Sequence, residues 1–308
     1  MGKLKNLAYV SKQDQIEFLN SFDNVFFDLD GVVWLSYEPI TGASDCINNL
    51  KKLKKRVNYL SNNAYKSPQD IATILNKLNH NVTSDDIINP IITIISFFKN
   101  INFNDEIYLI GSPALRQAMV HAGLNVVPEV SIEVDNELES FLQHYDENIK
   151  IKAVVVEIDL TMTYIKLQKC VWYLKQPDCR LVVGMSDKFA PVADKGPIIG
   201  MHYFVECLKA ASGKEPIYVA KPSQYLVDFI KLKFNITNPD RTLIIGDSIE
   251  QDMGTAIRGG FQKLLVLSGT ATKEDINNWK YPEENKPEYY IEDLNVLNTI
   301  IKSVFPKI

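Results

Sequence analysis

The chain has 308 residues, a length that predicts two domains at about 150 residues each. Hydrophobic residues make up 46% and charged residues 23%, which argues against intrinsic disorder and predicts cores that need no disulfide or metal to hold them. The formal net charge of −5 provides no strong positive field, so nucleic acids and anionic membranes are poor candidate partners.

The first hundred residues alternate short apolar runs with longer amphipathic ones, a pattern typical of an α/β protein with a mainly parallel sheet. Ser67 suits a helix N-cap because its hydroxyl can accept a backbone N–H, and Pro68 suits the first helical position because it lacks one. The predicted elements are a strand at 24–27, a helix at 43–55, a strand at 57–60, a helix from 67, and a helix at 84–99.

The middle of the chain holds a second set of α/β elements, after which the first kind of unit resumes. We therefore predict a discontinuous core at 1–101 and 211–308, with an inserted domain at 102–210. The middle set has strands at 106–110, 152–158 and 180–183 and helices at 113–121, 164–175 and 202–211. The last part has strands at 217–220, 242–245 and 264–267 and helices at 223–234 and 252–258.

Polar and charged residues follow four strands of the predicted core, at the point where each strand ends. Ligands of open parallel sheets bind beyond the carboxyl ends of the strands, so these residues are expected to meet in one site. They are Asp28 and Asp30 after the first strand, Ser61, Asn62 and Asn63 after the second, Lys221 after the third, and Asp247 with Asp252 after the fourth.

The carboxylates of this set predict a magnesium site. Asp28 and Asp30 are two residues apart, so both side chains point to one side of an extended chain, and Gly31 lets the backbone turn away. Close carboxylates repel by about several kcal/mol per pair at an effective dielectric of ~20, so the cluster needs a cation. Oxygen ligands without nearby His or Cys favour Mg²⁺ over zinc. We expect Asp247 to bind it directly, and Asp252 to bind it or to contact a residue that does.

The same residues predict phosphoryl transfer. Asp28, at the strand end, is the predicted nucleophile and would form an aspartyl-phosphate. Asp30, which reaches further out, is the predicted acid/base: it would protonate the leaving alkoxide and later deprotonate the attacking water. Lys221 and Mg²⁺ would offset the charge of the transferring group, while Ser61 and nearby backbone N–H groups would bind its remaining oxygens.

Four ordered motifs resemble those of the haloacid dehalogenase-like (HAD) phosphatases: DLDGVVW at 28–34, LSNN at 60–63, the lone Lys221, and GDSIEQD at 246–252. From Phe22 onward the chain is most similar to the branch of p-nitrophenylphosphatases, phosphoglycolate phosphatases and pyridoxal phosphate phosphatases. That resemblance implies a Rossmann-like parallel-sheet core with an inserted α/β cap domain of the C2 type. It also implies Mg²⁺ ligands and substrate-binding residues. The ligands are Asp28, the backbone carbonyl of Asp30 and Asp247; Ser61, Asn62, Asn63 and the cap residue Asp187 bind substrate.

The chain departs from this branch beside the metal ligands and in the cap. Ser248, Glu250 and Gln251 stand where Arg, Asp and Thr are usual, and the cap segment 184–191, which ends at Pro191, is one residue shorter. Phosphoglycolate, glycerol phosphate and pyridoxal phosphate therefore all stay open as substrates.

The sequence thus predicts a Mg²⁺-dependent phosphomonoester hydrolase of small phosphorylated metabolites. The alternatives are a non-catalytic phosphometabolite-binding or regulatory protein on the same fold, and a phosphoprotein phosphatase. Dehalogenation is disfavoured because Asp30 and the metal carboxylates would be superfluous. The chain has no GxxxxGK[ST] or GxGxxG motif for a kinase or a dehydrogenase.

The remaining features concern location and assembly. Four cysteines without a CxxC pair, and an N-terminal stretch without an apolar run, predict reduced thiols in a cytoplasmic protein. The basic run 51–56 is expected to be a solvated face at a helix end, and the four histidines lack metal-binding spacing. Trp34 could line the site or pack in the core. Because caps of this branch often dimerise, the helix with Cys170, Trp172 and Tyr173 suggests a homodimer through the cap.

Overall fold

The structure is a computed structural model that describes residues 4–128, 137–146, 148–190 and 196–308. Its strands are β1 (Lys5–Asn6), β2 (Asn24–Phe27), β3 (Trp34–Leu35), β4 (Glu38–Pro39), β5 (Arg56–Leu60), β6 (Ile87–Ile88), β7 (Glu106–Ile110), β8 (Ile151–Val156), β9 (Arg180–Val183), β10 (Phe189–Ala190), β11 (Ile198–Ile199), β12 (Pro216–Tyr218), β13 (Thr242–Gly246), β14 (Gln262–Val266) and β15 (Tyr289–Ile291). Its α-helices are α1 (Lys12–Asn20), α2 (Ala43–Lys52), α3 (Pro68–Lys77), α4 (Pro90–Asn100), α5 (Pro113–His121), α6 (Leu138–Leu142), α7 (Tyr164–Leu174), α8 (His202–Ser212), α9 (Gln224–Lys233), α10 (Gly254–Gly259), α11 (Lys273–Asn277) and α12 (Leu294–Val304).

The core is a parallel sheet of seven strands in the order β1-β15-β14-β13-β2-β5-β6. Helices cover both faces, which is why central strands such as β2 are apolar at nearly every position. Helices α2 and α12 pack on one face and α9 and α10 on the other. Because β2 and β13 are neighbours in the middle of the sheet, the residues after them lie side by side.

The cap is a parallel sheet of four strands in the order β12-β9-β8-β7. Helices α7 and α8 cover one face, and α5 covers the other together with α4, whose Ile94 and Phe98 pack against Val155 and Val182. Helix α4 thus connects the two sheets: it follows β6 of the core and packs under the cap.

One strand lies in a different sheet from the one predicted. The strand predicted at 217–220 as part of the core is β12, and it pairs with β9 at the edge of the cap sheet. A short apolar parallel strand fits the edge of either sheet, so its composition does not decide between them. Lys221 therefore reaches the site from the cap sheet, and not from the end of a core strand.

The helix predicted at 84–99 begins later in the structure, so the prediction is wrong for residues 84–89. Residues Ser84–Asp86 form a 3₁₀ turn, β6 pairs with β5, and α4 begins only at Pro90. Proline disfavours the helical conformation in the residue before it, and Asn89 is extended, with a φ of −140°. The helix predicted at 252–258 starts earlier, as a π-helical turn at Ile249–Met253 that continues into α10.

Several other expectations meet the structure in part. Cys46, Cys170 and Cys179 are buried, Cys207 is exposed, and all four are free thiols. In the basic run 51–56, Lys51 and Lys55 are half-buried and donate to backbone carbonyls, so only part of that run is a solvated face. Among the described residues, no helix is long and apolar enough to cross a membrane.

Candidate active site

A buried lysine lies between two buried carboxylates at the carboxyl edge of the core sheet. Lys221, 3% exposed, donates from Nζ to Asp28 Oδ1 at 2.9 Å and to Asp252 Oδ1 at 2.8 Å. Burial lowers the pKa of Lys221, but the charges of Asp252 and Asp28 outweigh it and raise the net value. The lysine is therefore a permanent positive charge beside Asp28.

Three carboxylates of this cluster can hold a metal ion. Asp28, Asp247 and Asp252 are all buried and offer oxygen atoms that lie within 4.8 Å of one another. Burial raises the pKa of Asp28 to about 8 and those of Asp247 and Asp252 to about 6, since these negative charges lack a hydrated surrounding. A hard divalent cation would offset this cost, so the donor set fits Mg²⁺.

The hydrogen bonds distinguish the three carboxylates. Asp252 uses both oxygens, Oδ1 for Lys221 and Oδ2 for the backbone N–H of Ser248 at 3.0 Å. Asp28 accepts from Lys221 on Oδ1, and Asp247 accepts from the N–H of Thr270 on Oδ2 at 2.5 Å. Both oxygens of Asp252 are therefore occupied by hydrogen bonds, and its role as a direct ligand or as a partner of one stays a prediction.

Asp30 is oriented by an aromatic neighbour. The indole Nε1 of Trp34 donates to Asp30 Oδ1 at 3.0 Å, and the ring of Trp34 is itself buried in the core. Burial raises the pKa of Asp30, and hydrogen bonds from Trp34 and Asn63 oppose that rise. Of the two roles left open for Trp34, the structure favours packing in the core: Trp34 is not among the residues that line the cavity, although its indole N–H holds Asp30.

Two glycines leave room for the Asp247 carboxylate. Gly31 has a φ of +85°, and a Cβ there would stand 2.6 Å from Asp247 Oδ2. A Cβ on Gly269 would collide with the same oxygen, and Ser268 Oγ donates to the Gly31 carbonyl at 2.6 Å. The segment Ser268–Thr270 was not predicted as part of the site. The sequence Ser-Gly-Thr at 268–270, which follows an apolar strand, is a pattern from which this part of the site could have been predicted.

The residues after β5 connect the core to the cap. Asn62 accepts from the backbone N–H of Lys221 on Oδ1 at 3.1 Å and donates from Nδ2 to Asp187 Oδ2 at 2.8 Å. Ser61 Oγ accepts from the N–H of Asn63 at 3.0 Å. Burial raises the pKa of Asp187 to about 6. The side-chain amide of Asn62 therefore binds both Asp187 of the cap and the backbone of Lys221.

The predicted site residues converge on one cavity of about 270 Å³ between core and cap. Asp252 lies behind Lys221 and does not line it, and Pro191 of the cap segment lies outside the described residues. The predicted site residues that line the cavity are Asp28, Asp30, Ser61, Asn62, Asn63, Asp187, Lys221 and Asp247.

One buried carboxyl group near the cavity was not anticipated. Glu157 follows β8, directly before the cavity residue Ile158; it is 0% exposed, and neither oxygen has a hydrogen-bond partner of acceptable geometry among the described residues. Burial raises its pKa well above the usual range, against a smaller lowering by the N–H of Ile158, and the charge of Asp187 adds to the rise. A Cβ on Gly184 would collide with Glu157 Oε2, so this carboxyl lies directly against the backbone of the next strand.

Two models of known protein families match the parts of the chain that form this site. A model of the haloacid dehalogenase-like hydrolases matches residues 25–125, and a HAD-hydrolase-like model matches residues 218–297. Together they match more than half of the chain and contain all four motifs. The chain belongs to the haloacid dehalogenase-like hydrolases.

Two of the relatives of this hydrolase are named as phosphatases. Glycerol-3-phosphate phosphatase of Homo sapiens is 25% identical over 289 residues, which cover 90% of this chain and 90% of that protein. Phosphoglycolate phosphatase 1A, chloroplastic, of Arabidopsis thaliana is 26% identical over 285 residues, which cover 91% of this chain and 77% of that protein.

Solved structures share the fold of this HAD-like hydrolase. A 4-nitrophenylphosphatase from Thermotoga maritima has a TM-score of 0.74 at 23% identity and covers 91% of this chain and 98% of its own. A glycerol phosphate phosphatase from Mycobacterium tuberculosis, in complex with magnesium, has a TM-score of 0.71 at 21% identity. The match covers 96% of this chain and 78% of that protein's chain. At these identities the likeness concerns the fold.

The three departures from the usual HAD motif have local structural roles. Ser248 Oγ accepts from the N–H of Gln251 at 3.2 Å and so caps the π-helical turn. Glu250 pairs with Lys188 of the cap at 2.8 Å, an exposed ion pair worth about 0–1 kcal/mol. Gln251 lines the cavity, with Oε1 3.5 Å from Asn62 Nδ2. None of the three removes a group from the Lys221 cluster.

Proposed function

We propose that the protein is a Mg²⁺-dependent hydrolase of small phosphomonoesters that acts through an aspartyl-phosphate. The observation that carries the proposal is the Lys221 ammonium held between Asp28 and Asp252, with Asp247 completing a set of three carboxylates. A phosphoryl group is a hard dianion, and this cluster becomes suited to it once a divalent cation balances the carboxylates.

The proposed reaction has two steps, which Asp28, Asp30 and Lys221 carry out together. Asp28 attacks phosphorus, and the bond to the leaving oxygen breaks as that oxygen takes a proton from Asp30. Asp30 then removes a proton from the water that hydrolyses the aspartyl-phosphate, which regenerates Asp28. Lys221 keeps Asp28 in place and offsets charge on the transferring group.

Asp28, Asp247 and the backbone carbonyl of Asp30 would hold Mg²⁺, and Asp252 would keep Lys221 in position. When bound, the ion supplies positive charge to the phosphoryl oxygens. Ser61 and neighbouring backbone N–H groups would bind the oxygens that remain.

The cavity supports a small substrate. Its volume of about 270 Å³ lies near the lower end of the ~300–1,000 Å³ usual for small-molecule sites, and residues of both core and cap line it. A folded phosphoprotein would not reach Asp28, which is buried. Esters of the phosphoglycolate, glycerol phosphate and pyridoxal phosphate type are the candidates, and the names of the relatives agree with the first two.

The proposal is tested with Asp28→Asn and 4-nitrophenyl phosphate in the presence of Mg²⁺. We expect turnover to fall at least about a thousandfold, since the nucleophile is gone, while the circular dichroism spectrum is unchanged. Asp105→Asn, an exposed position outside the cavity, is the matched control and should keep wild-type turnover. Normal turnover by Asp28→Asn would refute the assigned nucleophile. Phosphate-ester binding without any Mg²⁺-stimulated turnover would favour the non-catalytic alternative.

We also propose a cytoplasmic homodimer joined through the caps. The free, mostly buried thiols support a reducing compartment such as the cytoplasm. The dimer is supported by an apolar surface on the cap, where Trp172 packs with Phe141 and Tyr145 beside the exposed Leu138 and Leu142. Light scattering that gives a single species of about 35 kDa at micromolar concentration would exclude the dimer. Imaging of the tagged protein tests the location, and an organelle-confined signal would contradict it.

A further inference from the structure

We propose that the alcohol portion of the preferred substrate is apolar or aromatic and carries no negative charge, so that carboxylate-bearing esters are poor substrates. This inference rests on the proposed function and specifies its substrate class. It follows from the wall of the cavity that faces away from the catalytic cluster.

The two ends of the cavity differ in chemistry. The core end carries Asp28, Lys221 and Asp247, which would bind the phosphoryl group. The cap end is formed mainly by apolar side chains, so the alcohol portion of a bound ester would lie against them. They are Ile158, Leu160, Met185, Phe189, Ala190 and Ile198.

Three of these side chains leave unusually large apolar surfaces exposed. Leu160 is 63% exposed, Phe189 49% and Ile198 39%, and they come from the loop after β8, from β10 and from β11. Single exposed apolar residues are ordinary on protein surfaces, but three that line one concave site indicate a surface that a ligand covers.

The core adds aromatic surface to the same cavity. Tyr37 and Tyr65 line it, and Tyr37 is fixed by the ring of Trp34 at 5.6 Å and by the ammonium of Lys66 at 5.0 Å from its own ring centre. Because Tyr37 is already held by these contacts, it loses little side-chain freedom when an apolar group packs against it. This lowers the entropic cost of binding.

The charges in the cavity oppose a substrate carboxylate. Asp187 of the cap lines the cavity and would repel a second anionic group on the ester. The Lys221 ammonium is engaged by Asp28 and Asp252, and Lys188 pairs with Glu250. Asp187, as an acceptor, instead suits a hydroxyl or ammonium group on an otherwise apolar alcohol.

The test compares kcat/KM for 2-phenylethyl phosphate, glycerol 3-phosphate and phosphoglycolate. All three are esters of primary alcohols, so differences in leaving-group chemistry are small. We expect 2-phenylethyl phosphate to exceed phosphoglycolate at least about tenfold, with glycerol 3-phosphate between them. If phosphoglycolate equals or exceeds 2-phenylethyl phosphate, this inference is overturned while the proposed function stands. Failure to hydrolyse any of the three would also overturn this inference, and the proposed function would fall with it only if 4-nitrophenyl phosphate were not hydrolysed either.

Two variants test the walls separately. Phe189→Gln should reduce the ratio of 2-phenylethyl phosphate to glycerol 3-phosphate turnover at least about threefold, because it removes apolar surface at an exposed position where the fold tolerates a polar group. Leu142→Gln, an exposed apolar cap residue outside the cavity, should keep the wild-type ratio. Asp187→Asn should raise the ratio of phosphoglycolate to glycerol 3-phosphate turnover about tenfold. Unchanged ratios in both cavity variants would contradict the inference.

Discussion

The core and the cap both bury carboxyl groups, but the carboxyl groups of the core cluster are better partnered than Glu157 of the cap. Asp28, Asp247 and Asp252 each accept a hydrogen bond, and Lys221 supplies a positive charge to two of them. Glu157 of the cap, equally buried, has none among the described residues. A buried charge without a partner costs far more than a paired one, so burial favours the neutral, protonated form of Glu157, whereas the Lys221 ammonium opposes the same effect of burial on Asp28 and Asp252.

Removing the partner from the core cluster should have the largest effect. Lys221→Met leaves Asp28 and Asp252 buried beside Asp247 without their cation. We expect the free energy of unfolding to fall by about 3–5 kcal/mol and the turnover of 4-nitrophenyl phosphate to fall at least about a hundredfold. Urea denaturation and steady-state kinetics measure the two. Lys188→Met, which breaks the exposed pair with Glu250, should change stability by no more than about 1 kcal/mol. A Lys221→Met protein as stable as the wild type would show that the core carboxyl groups do not depend on Lys221 as their partner.

Removing the unpaired group from the cap should have a smaller effect of the opposite sign. Glu157→Met replaces an unpartnered carboxyl by an apolar side chain of similar length. We expect the free energy of unfolding at neutral pH to rise by about 1–3 kcal/mol, as measured by urea denaturation. A loss of stability instead would show that the Glu157 carboxyl has a stabilising partner.

The pH dependence of the free energy of unfolding distinguishes the cost of ionising Glu157 from the cost of burying a neutral polar group there. Its folded pKa is raised above the usual value of about 4.3, so between these two pH values the folded state holds a proton that the unfolded state has lost. The stability contributed by this group is therefore full below about pH 4.3 and declines as the pH rises, by about 1.4 kcal/mol per pH unit at most.

Glu157→Gln cannot titrate and serves as the reference. The free energy of unfolding of the wild type should fall relative to this variant between about pH 4.5 and 7, as measured by urea denaturation at a series of pH values. Parallel pH profiles for the two proteins would mean that Glu157 is ionised in the folded state.

Residues that follow buried strands could be located from the sequence because a strand-end rule links each to its place in the sheet. Asp28, Ser61 and Asp247 were found in this way, and the structure brings them to one cavity. The strand before Lys221 was assigned to the wrong sheet, because a short apolar run fits the edge of either one. The lysine was nonetheless identified, since its place depends on where the strand ends and less on which sheet holds it.

Contacts between distant segments could not be predicted in the same way. The hydrogen bond from Thr270 to Asp247 and the bond between Asn62 and Asp187 join segments that no local pattern relates. Glu157 lies within the strand predicted at 152–158 and no motif singles it out, and only its burial against Gly184 shows that it is sealed from water.

Lys221 lies just beyond Val219 and Ala220, which follow β12, so the electrostatics of the core depend in part on the cap. Any rotation of the cap sheet against the core sheet would carry the lysine backbone with it and would break the hydrogen bond from its N–H to Asn62. A change in the angle between the two sheets would therefore act on the same side chain that offsets the charge of Asp28 and Asp252.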